Sequence, residues 1–412
     1  MNYTKLPEAF AELSTLLGNR ATTSLAQRQH HRKGESHHPG ALPDIVCFPH
    51  TTEEVSAIVK ISAKYKLPVI PFGAGTSLEG HVAALHGGIT IDLREMNKVL
   101  RVSVEDLDAT VQAGITRLAV VKAFHSTGVT FFIDPGSDPT IGGMASTRAS
   151  GTAAVLYGTM RENVLGLTVV LADGSIIHTE SRARKSAAGY DLTHLFEFHG
   201  MNDRDISDQA EQCQEIAQEN GGLGFAWKKT PVDREALWKA RHNAYHAALA
   251  LRPGSKGLTT DACVPISRLA ECIVETAADL ATASFPTTIV GHVGDGNFHV
   301  LCMLDETDPA ELHEAETISG RIAQRALAMG GTCTGEHGIG YGKMKYMQAE
   351  HGAALDTMRA IKQALDPENR MNPGKMIPPA SQEIWHVRAR TLANNGRPPL
   401  GGGPTTQPRS PS

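Results

Sequence analysis

The sequence predicts an α+β protein of two domains, and three observations lead there. Its 412 residues are too many for one ordinary core and enough for two, each able to bury an apolar interior. Helix-period and strand-period segments alternate through the N-terminal half, the mark of a mixed layer architecture. Asp173-Gly174 then sits between the apolar runs 164–172 and 175–179, a dipeptide that signals an antiparallel hairpin.

In order along the chain, residues 1–36 are polar, and His30, His31, Arg32 and Lys33 read as part of a solvated N-terminal arm. A helix is expected from Thr51, where a hydroxyl can cap, Glu53 and Glu54 suit the first turn, and Val55, Ile58, Val59 and Ala63 share a face. Leu67 to Pro71 reads as a short buried strand, with further strands at Ile89–Leu93, Leu100–Val104 and Ala109–Ala113. Thr116 can cap a helix to about Ser126. After the hairpin, helices are expected at 205–218, 234–251, 267–282 and 310–329. The Gly/Ser/Pro-rich end, 381–412, cannot bury enough to order itself.

Composition narrows the function. A net charge of -5 and a pI near 6.4, with no Lys/Arg-rich run, provide no field for a phosphate backbone, so nucleic acid is not an expected partner. The six cysteines form no C-x-x-C pair, which suits reduced thiols. No apolar run reaches the length of a membrane span. Met1 to Arg20 lacks an apolar signal region and carries Glu8 and Glu12, unlike a transit peptide. Cytoplasm is therefore the expected location, with the mitochondrion as the alternative in a eukaryotic cell.

Two loops carry cofactor chemistry. Pro71-Phe72-Gly73-Ala74-Gly75-Thr76-Ser77-Leu78-Glu79-Gly80 offers backbone amides and hydroxyls to a pyrophosphate. It fails the dinucleotide fingerprint of an NAD site, because Leu78 stands where the third glycine belongs. A pair of plain glycine turns is the alternative. The second loop, from Asp134-Pro135-Gly136 to Ile141-Gly142-Gly143-Met144, leads into small residues ending at Ser150-Gly151. Small side chains let a planar ring and a diphosphate approach the backbone closely.

These loops, with Tyr157-Gly158-Thr159-Met160-Arg161 and Lys185-Ser186-Ala187-Ala188-Gly189-Tyr190-Asp191-Leu192, resemble the cytochrome-linked D-lactate dehydrogenase family of FAD-dependent oxidoreductases. The resemblance covers roughly 37–380. It implies a PCMH-type FAD-binding domain at 37–196 and a ferredoxin-like α/β substrate (cap) domain at 197–380. It also implies noncovalent FAD held by Pro71, Phe72, Gly73, Ala74, Gly75, Thr76, Ser77 and Gly80 of the first loop. From the second loop onward the implied contacts are Pro135, Gly136, Ile141, Gly142, Gly143, Ser150, Gly151, Tyr157 and Gly158, with Asn372 near the C-terminus.

Family members continue after Phe196 into Gly-Ser-Glu-Gly-Thr-Leu-Gly and several dozen further residues, whereas this chain passes directly to Glu197-Phe198. The fold is expected to be truncated at that point.

Gly291-His292-Val293-Gly294-Asp295-Gly296-Asn297-Phe298-His299 holds two histidines that a straight strand would put on opposite faces. If Asp295-Gly296 is a two-residue hairpin loop, His292 pairs directly with His299 and both imidazoles share a face with Asn297. Glu336, between flanking glycines, would complete a His/His/Glu set with open positions, suited to zinc and also to manganese or iron. A packed histidine pair beside an unrelated carboxylate is the alternative. By resemblance His337 handles the hydroxyl proton and Arg241 grips the substrate carboxylate, where a planar guanidinium offers two parallel bonds. Asn297 joins them as a residue expected to act on substrate.

The expected function is oxidation of a D-2-hydroxy acid, D-lactate above all, to the 2-oxo acid. Electrons would pass from FAD to cytochrome c or another carrier. The alternatives are an FAD- and metal-binding remnant impaired by the missing segment, and a zinc hydrolase built on the same three ligands.

Overall fold

Thr51 caps a helix where one is expected: its Oγ1 accepts from Glu54 N at 3.2 Å, and the helix runs Thr52–Tyr65 with Ile58 and Val59 buried. The computed structural model describes residues 5–151, 154–179 and 244–379. The described residues up to Pro378 form one compact unit. The expected helix at 205–218, the first part of that at 234–251, Arg241, the Lys185–Leu192 motif, the junction after Phe196 and the 381–412 tail lie outside the described residues.

Strands β1 (Ala21–Thr22), β2 (Ile45–Cys47), β3 (Val69–Phe72) and β4 (Ile89–Asp92) form one sheet in the order β1-β2-β4-β3. β2, β4 and β3 are parallel, while β1 is antiparallel to β2. β2 and β4 are buried along their whole length; β2 is wholly apolar, while β4 carries Thr90 and ends on the buried Asp92. The helix Leu6–Leu17 lays Ala9, Leu13 and Leu17 on the core that also holds Ile45, Ile58, Val69 and Ile89. The stretch read as a solvated arm is therefore packed. His31 is fully buried, with Nε2 at 2.8 Å from Asp92 Oδ2 and Nδ1 at 2.7 Å from Gln27 O. A cluster of charged letters concealed a helix end whose imidazole is satisfied on both sides.

Strands β5 (Val99–Ser103) and β6 (Asp108–Val111) pair as an antiparallel ribbon, and Thr116 caps the helix Arg117–Phe124. The Asp173-Gly174 hairpin joins β7 (Thr168–Val170) to β8 (Ile176–His178). Its turn closes through Gly174 N to Leu171 O, and Gly174 alone takes the left-handed conformation at φ +82. The connection is longer than a two-residue loop, because Leu171 N donates to Ser175 O across it and leaves three residues, 172–174, in the turn.

In the C-terminal half, β9 (Lys256–Thr259), β10 (Ala262–Cys263), β11 (Thr287–His292) and β12 (Asn297–Leu304) form an antiparallel sheet centred on β12. The alternation along β12 positions the site. Its even residues Phe298, Val300, Cys302 and Leu304 pack under the helices Ile266–Leu280 and Pro309–Ala328. Its odd residues Asn297, His299, Leu301 and Met303 face the other way, and Leu301 and Met303 pack with Ala248.

The chain finally returns to the first sheet. Met371 bridges Val69 in parallel, Val69 N donates to Arg370 O at 2.9 Å and Asn372 N to Val69 O at 2.8 Å. Arg370, buried, reaches Ser62 Oγ and Ala172 O. This return fastens helix Thr52–Tyr65 and the β7–β8 hairpin to one guanidinium.

Candidate functional site: a glycine cradle facing a histidine and carboxylate cluster

The two loops meet. A Cβ on Gly73 would collide with Thr140 Oγ1, and one on Gly142 would lie 2.8 Å from Ala113 Cβ. Thr140 caps the short helix Ile141–Ser146 by accepting from Gly143 N. Gly75 has φ +75 and leaves room for the Phe72 ring beneath it. These positions need glycine because side chains would force the loops apart.

The loops line a cleft of about 3190 Å³ that also reaches the C-terminal half. Of the residues expected to hold FAD, all but Gly80 and Gly158 line it. Gly80 (φ +74) is covered by the Tyr341 ring, and Gly158 lies against Glu162. Ser77 Oγ is buried with no hydrogen-bond partner among the described residues. An orphaned hydroxyl in a glycine cradle calls for an acceptor such as a phosphate oxygen, so the residues fit FAD.

At the far wall lie His292, His299, Glu336 and His337. The β11–β12 register differs from expectation. His292 pairs with Asn297 and His299 with Val290, across a loop Val293–Gly296 in which Gly296 takes φ +73. The loop is two residues longer than expected, and every pairing moves by two. Side chains alternate with period two, so the shift leaves His292 and His299 on one face as diagonal neighbours. Their rings stand 5.6 Å apart and perpendicular.

Glu336 Oε1 is 2.9 Å from His299 Nε2 and 3.6 Å from His292 Nε2. His299 Nδ1 lies 3.0 Å from Thr260 O, and a carbonyl can only accept, so the ring N–H sits on Nδ1. In neutral His299, Nε2 then turns a lone pair on a carboxylate. Two acceptors at that distance need a cation between them, either a proton on His299 or a metal. His292, His299 and Glu336 offer ligand atoms all within 4.8 Å of one another. The donor set fits a divalent metal.

Burial alone would raise the Glu336 carboxyl, yet the bonds from His292 and His299 outweigh it and hold the group well below the usual carboxylate range. Burial likewise opposes charge on His299, but Glu336 and Asp261 raise its pKa above the ordinary value. His337 stacks on His299 at 4.9 Å, and burial pushes it down to about 4. Its Nδ1 is buried without a partner among the described residues, while Nε2 lies 3.9 Å from Glu336 Oε1.

Asn297 does not line the cleft: its amide nitrogen donates to Asp261 Oδ1 and Ala262 O, both at 2.8 Å. The sequence reading missed Asp261. Its Oδ2 accepts from Thr334 Oγ1 (2.6 Å), Glu336 N (3.0 Å) and His337 N (2.9 Å), so one buried carboxylate shapes the whole ligand loop. The available signal was an isolated aspartate inside the apolar and small run Gly257–Val264.

A profile of the FAD binding domain matches residues 43–180, and one of FAD linked oxidases, C-terminal domain, matches 150–376. A zebrafish (Danio rerio) protein described as "Probable D-lactate dehydrogenase, mitochondrial" is 43% identical, over 85% of this chain and 88% of its own length. The chain belongs to the FAD-linked oxidase family.

This FAD-linked oxidase is also 37% identical to the Arabidopsis thaliana "D-lactate dehydrogenase [cytochrome], mitochondrial", over 92% of the chain and 81% of the relative. The alignment with the zebrafish protein runs over 437 positions, more than the 412 residues here, so the relative carries residues that this chain skips. Among solved structures, 4-ethylphenol oxidase from Gulosibacter chungangensis aligns with a TM-score of 0.69 at 16% identity, covering 92% and 98% of the two chains. p-Cresol methylhydroxylase aligns at 0.62 and 14%, covering 91% and 97%. The PCMH-type fold of this oxidase is thereby established. Among the described residues no helix is long and apolar enough to cross a membrane.

Proposed function

We propose that the chain oxidises D-lactate, or a close D-2-hydroxy acid, to the 2-oxo acid with noncovalent FAD as the first electron acceptor. The observation that carries this is the meeting, in one cleft, of the glycine cradle and the His292/His299/Glu336 cluster. D-lactate comes first because relatives at 43% and 37% identity bear that name; a 30% identical Bacillus subtilis relative is named a glycolate oxidase subunit, within the same acid class.

FAD in the cradle supplies an acceptor for the hydride leaving the α-carbon. A divalent cation on His292, His299 and Glu336, zinc first, supplies a charge that acidifies the substrate hydroxyl. His337, neutral at physiological pH, takes that proton on its free nitrogen. Arg241 pairs with the carboxylate. Asn297 acts indirectly, by holding Asp261. Cytochrome c or another redox carrier would be the final electron acceptor, in keeping with the cytochrome tag in the names of several relatives. Those relatives are named as mitochondrial, which favours the mitochondrion over the cytoplasm.

A second reading, an impaired enzyme that retains cofactor binding, is favoured by the positions this chain skips. Acid-precipitated protein should release yellow cofactor into the supernatant, and the purified protein should reduce a dye with D-lactate. Colourless protein that takes up no added FAD would return the zinc hydrolase to consideration.

A further inference from the structure

Behind the cleft, three buried charges run from one loop to the other. Lys343 Nζ lies 3.3 Å from Glu79 Oε1, 3.6 Å from Asp261 Oδ2 and 3.0 Å from Asp261 O. All three residues are at most 5% exposed. Glu79 stands in the flavin loop, where His38 Nε2 approaches its Oε2 at 3.2 Å and Tyr341 N donates to its backbone O at 3.0 Å. Asp261, at the other end, holds Thr334, Glu336 and His337. The segment that carries Lys343 fits against Glu79 without slack, since a Cβ on Gly340 or Gly342 would overlap Glu79.

Neither Glu79, Lys343 nor Asp261 lines the cleft, so all three stand behind the surface that flavin and substrate would meet. Removing one charge from such a chain strands the others in a low-dielectric interior. A ligand that orders one loop therefore acts on the other through charged groups shut off from water.

We propose that Glu79, Lys343 and Asp261 are positioning residues that couple the flavin loop to the ligand loop, so that FAD and a divalent cation bind cooperatively. The inference rests on the metal reading given above. A cation at His292, His299 and Glu336 fixes the loop whose amides Asp261 holds. Lys343 carries that order to Glu79, and the flavin loop is then already set when FAD arrives. By linkage FAD must favour the cation by the same factor.

The test uses the full chain stripped of cofactor. FAD affinity is measured from quenching of flavin fluorescence in chelator-treated and in Zn²⁺-loaded protein, and Zn²⁺ affinity with and without FAD. Zn²⁺ is expected to tighten FAD binding by at least about fivefold, and FAD to tighten Zn²⁺ equally. Glu79→Gln keeps the shape, leaves Lys343 paired with Asp261, and should reduce the coupling to within roughly twofold while both ligands still bind. A merely structural role would lower the melting temperature and both affinities but leave their coupling intact.

Stoichiometric Zn²⁺ binding with unchanged FAD affinity in the wild type overturns the proposal and leaves the metal reading standing. Absence of Zn²⁺ binding removes both. Full coupling in folded Glu79→Gln overturns the route through Glu79. If that variant does not fold, the wild-type cycle still decides whether coupling exists.

Discussion

His299 illustrates how one backbone acceptor sets chemistry. Thr260 O accepts a hydrogen bond from Nδ1–H, so Nε2 must face Glu336 as a lone pair or as a second N–H. His299→Ala removes the central member of the donor set and should abolish stoichiometric zinc, read by elemental analysis; equal metal in both proteins contradicts the assignment. Asp261→Asn tests the residue behind it. An amide cannot accept from three donors as a carboxylate does, and Lys343 loses one of its two charged partners, keeping Glu79. We expect a loss of about 3–5 kcal/mol in urea unfolding, and a change under about 1 kcal/mol, as for an exposed ion pair, contradicts the role given to Asp261. Histidines and Glu336 were legible because their residue types advertise metal chemistry. Asp261 was not, since its role appears only when Thr334, Glu336 and His337 fold back over it.

Among elements, the β11–β12 hairpin separates what a pattern can predict from what it cannot. Which face a histidine occupies depends on parity, and parity was legible in the seven-residue spacing. Register depends on how Val293–Asp295 turns and on Gly296 at φ +73, which the letters Asp-Gly do not specify. The helices beginning after Thr51 and Thr116 were readable because a capping hydroxyl precedes an amphipathic run. The burial of His31 was not, because it depends on Asp92, sixty-one residues away. For the cradle, the meeting of two loops carries a prediction. Gly73→Ala drives a methyl into Thr140, the cap of helix Ile141–Ser146. Overpacking of this kind costs about 1–3 kcal/mol, so FAD should bind on the order of tenfold more weakly in a flavin titration. Unchanged affinity would mean that the cradle does not hold the cofactor.

For the whole molecule, the mixed α and β order followed from periodicity, whereas the return of 370–372 to β3 did not, since a three-residue segment carries no period. The skipped positions also matter at this scale. The flavin and the cluster must face each other closely, and a misplacement of about 1 Å can cost on the order of a hundredfold in rate. We expect weak flavin occupancy and slow steady-state turnover from this chain; full occupancy with brisk dye reduction would make the skipped positions dispensable. The most direct test of D-lactate oxidation is therefore the reductive half-reaction, which a slow enzyme still completes. FAD-reconstituted protein is mixed anaerobically with D-lactate, and with L-lactate in parallel, and the visible flavin band is followed. Bleaching by D-lactate alone is expected, with recovery when an electron acceptor is admitted. A flavin that dithionite bleaches but D-lactate does not, or that both enantiomers bleach equally, would contradict it.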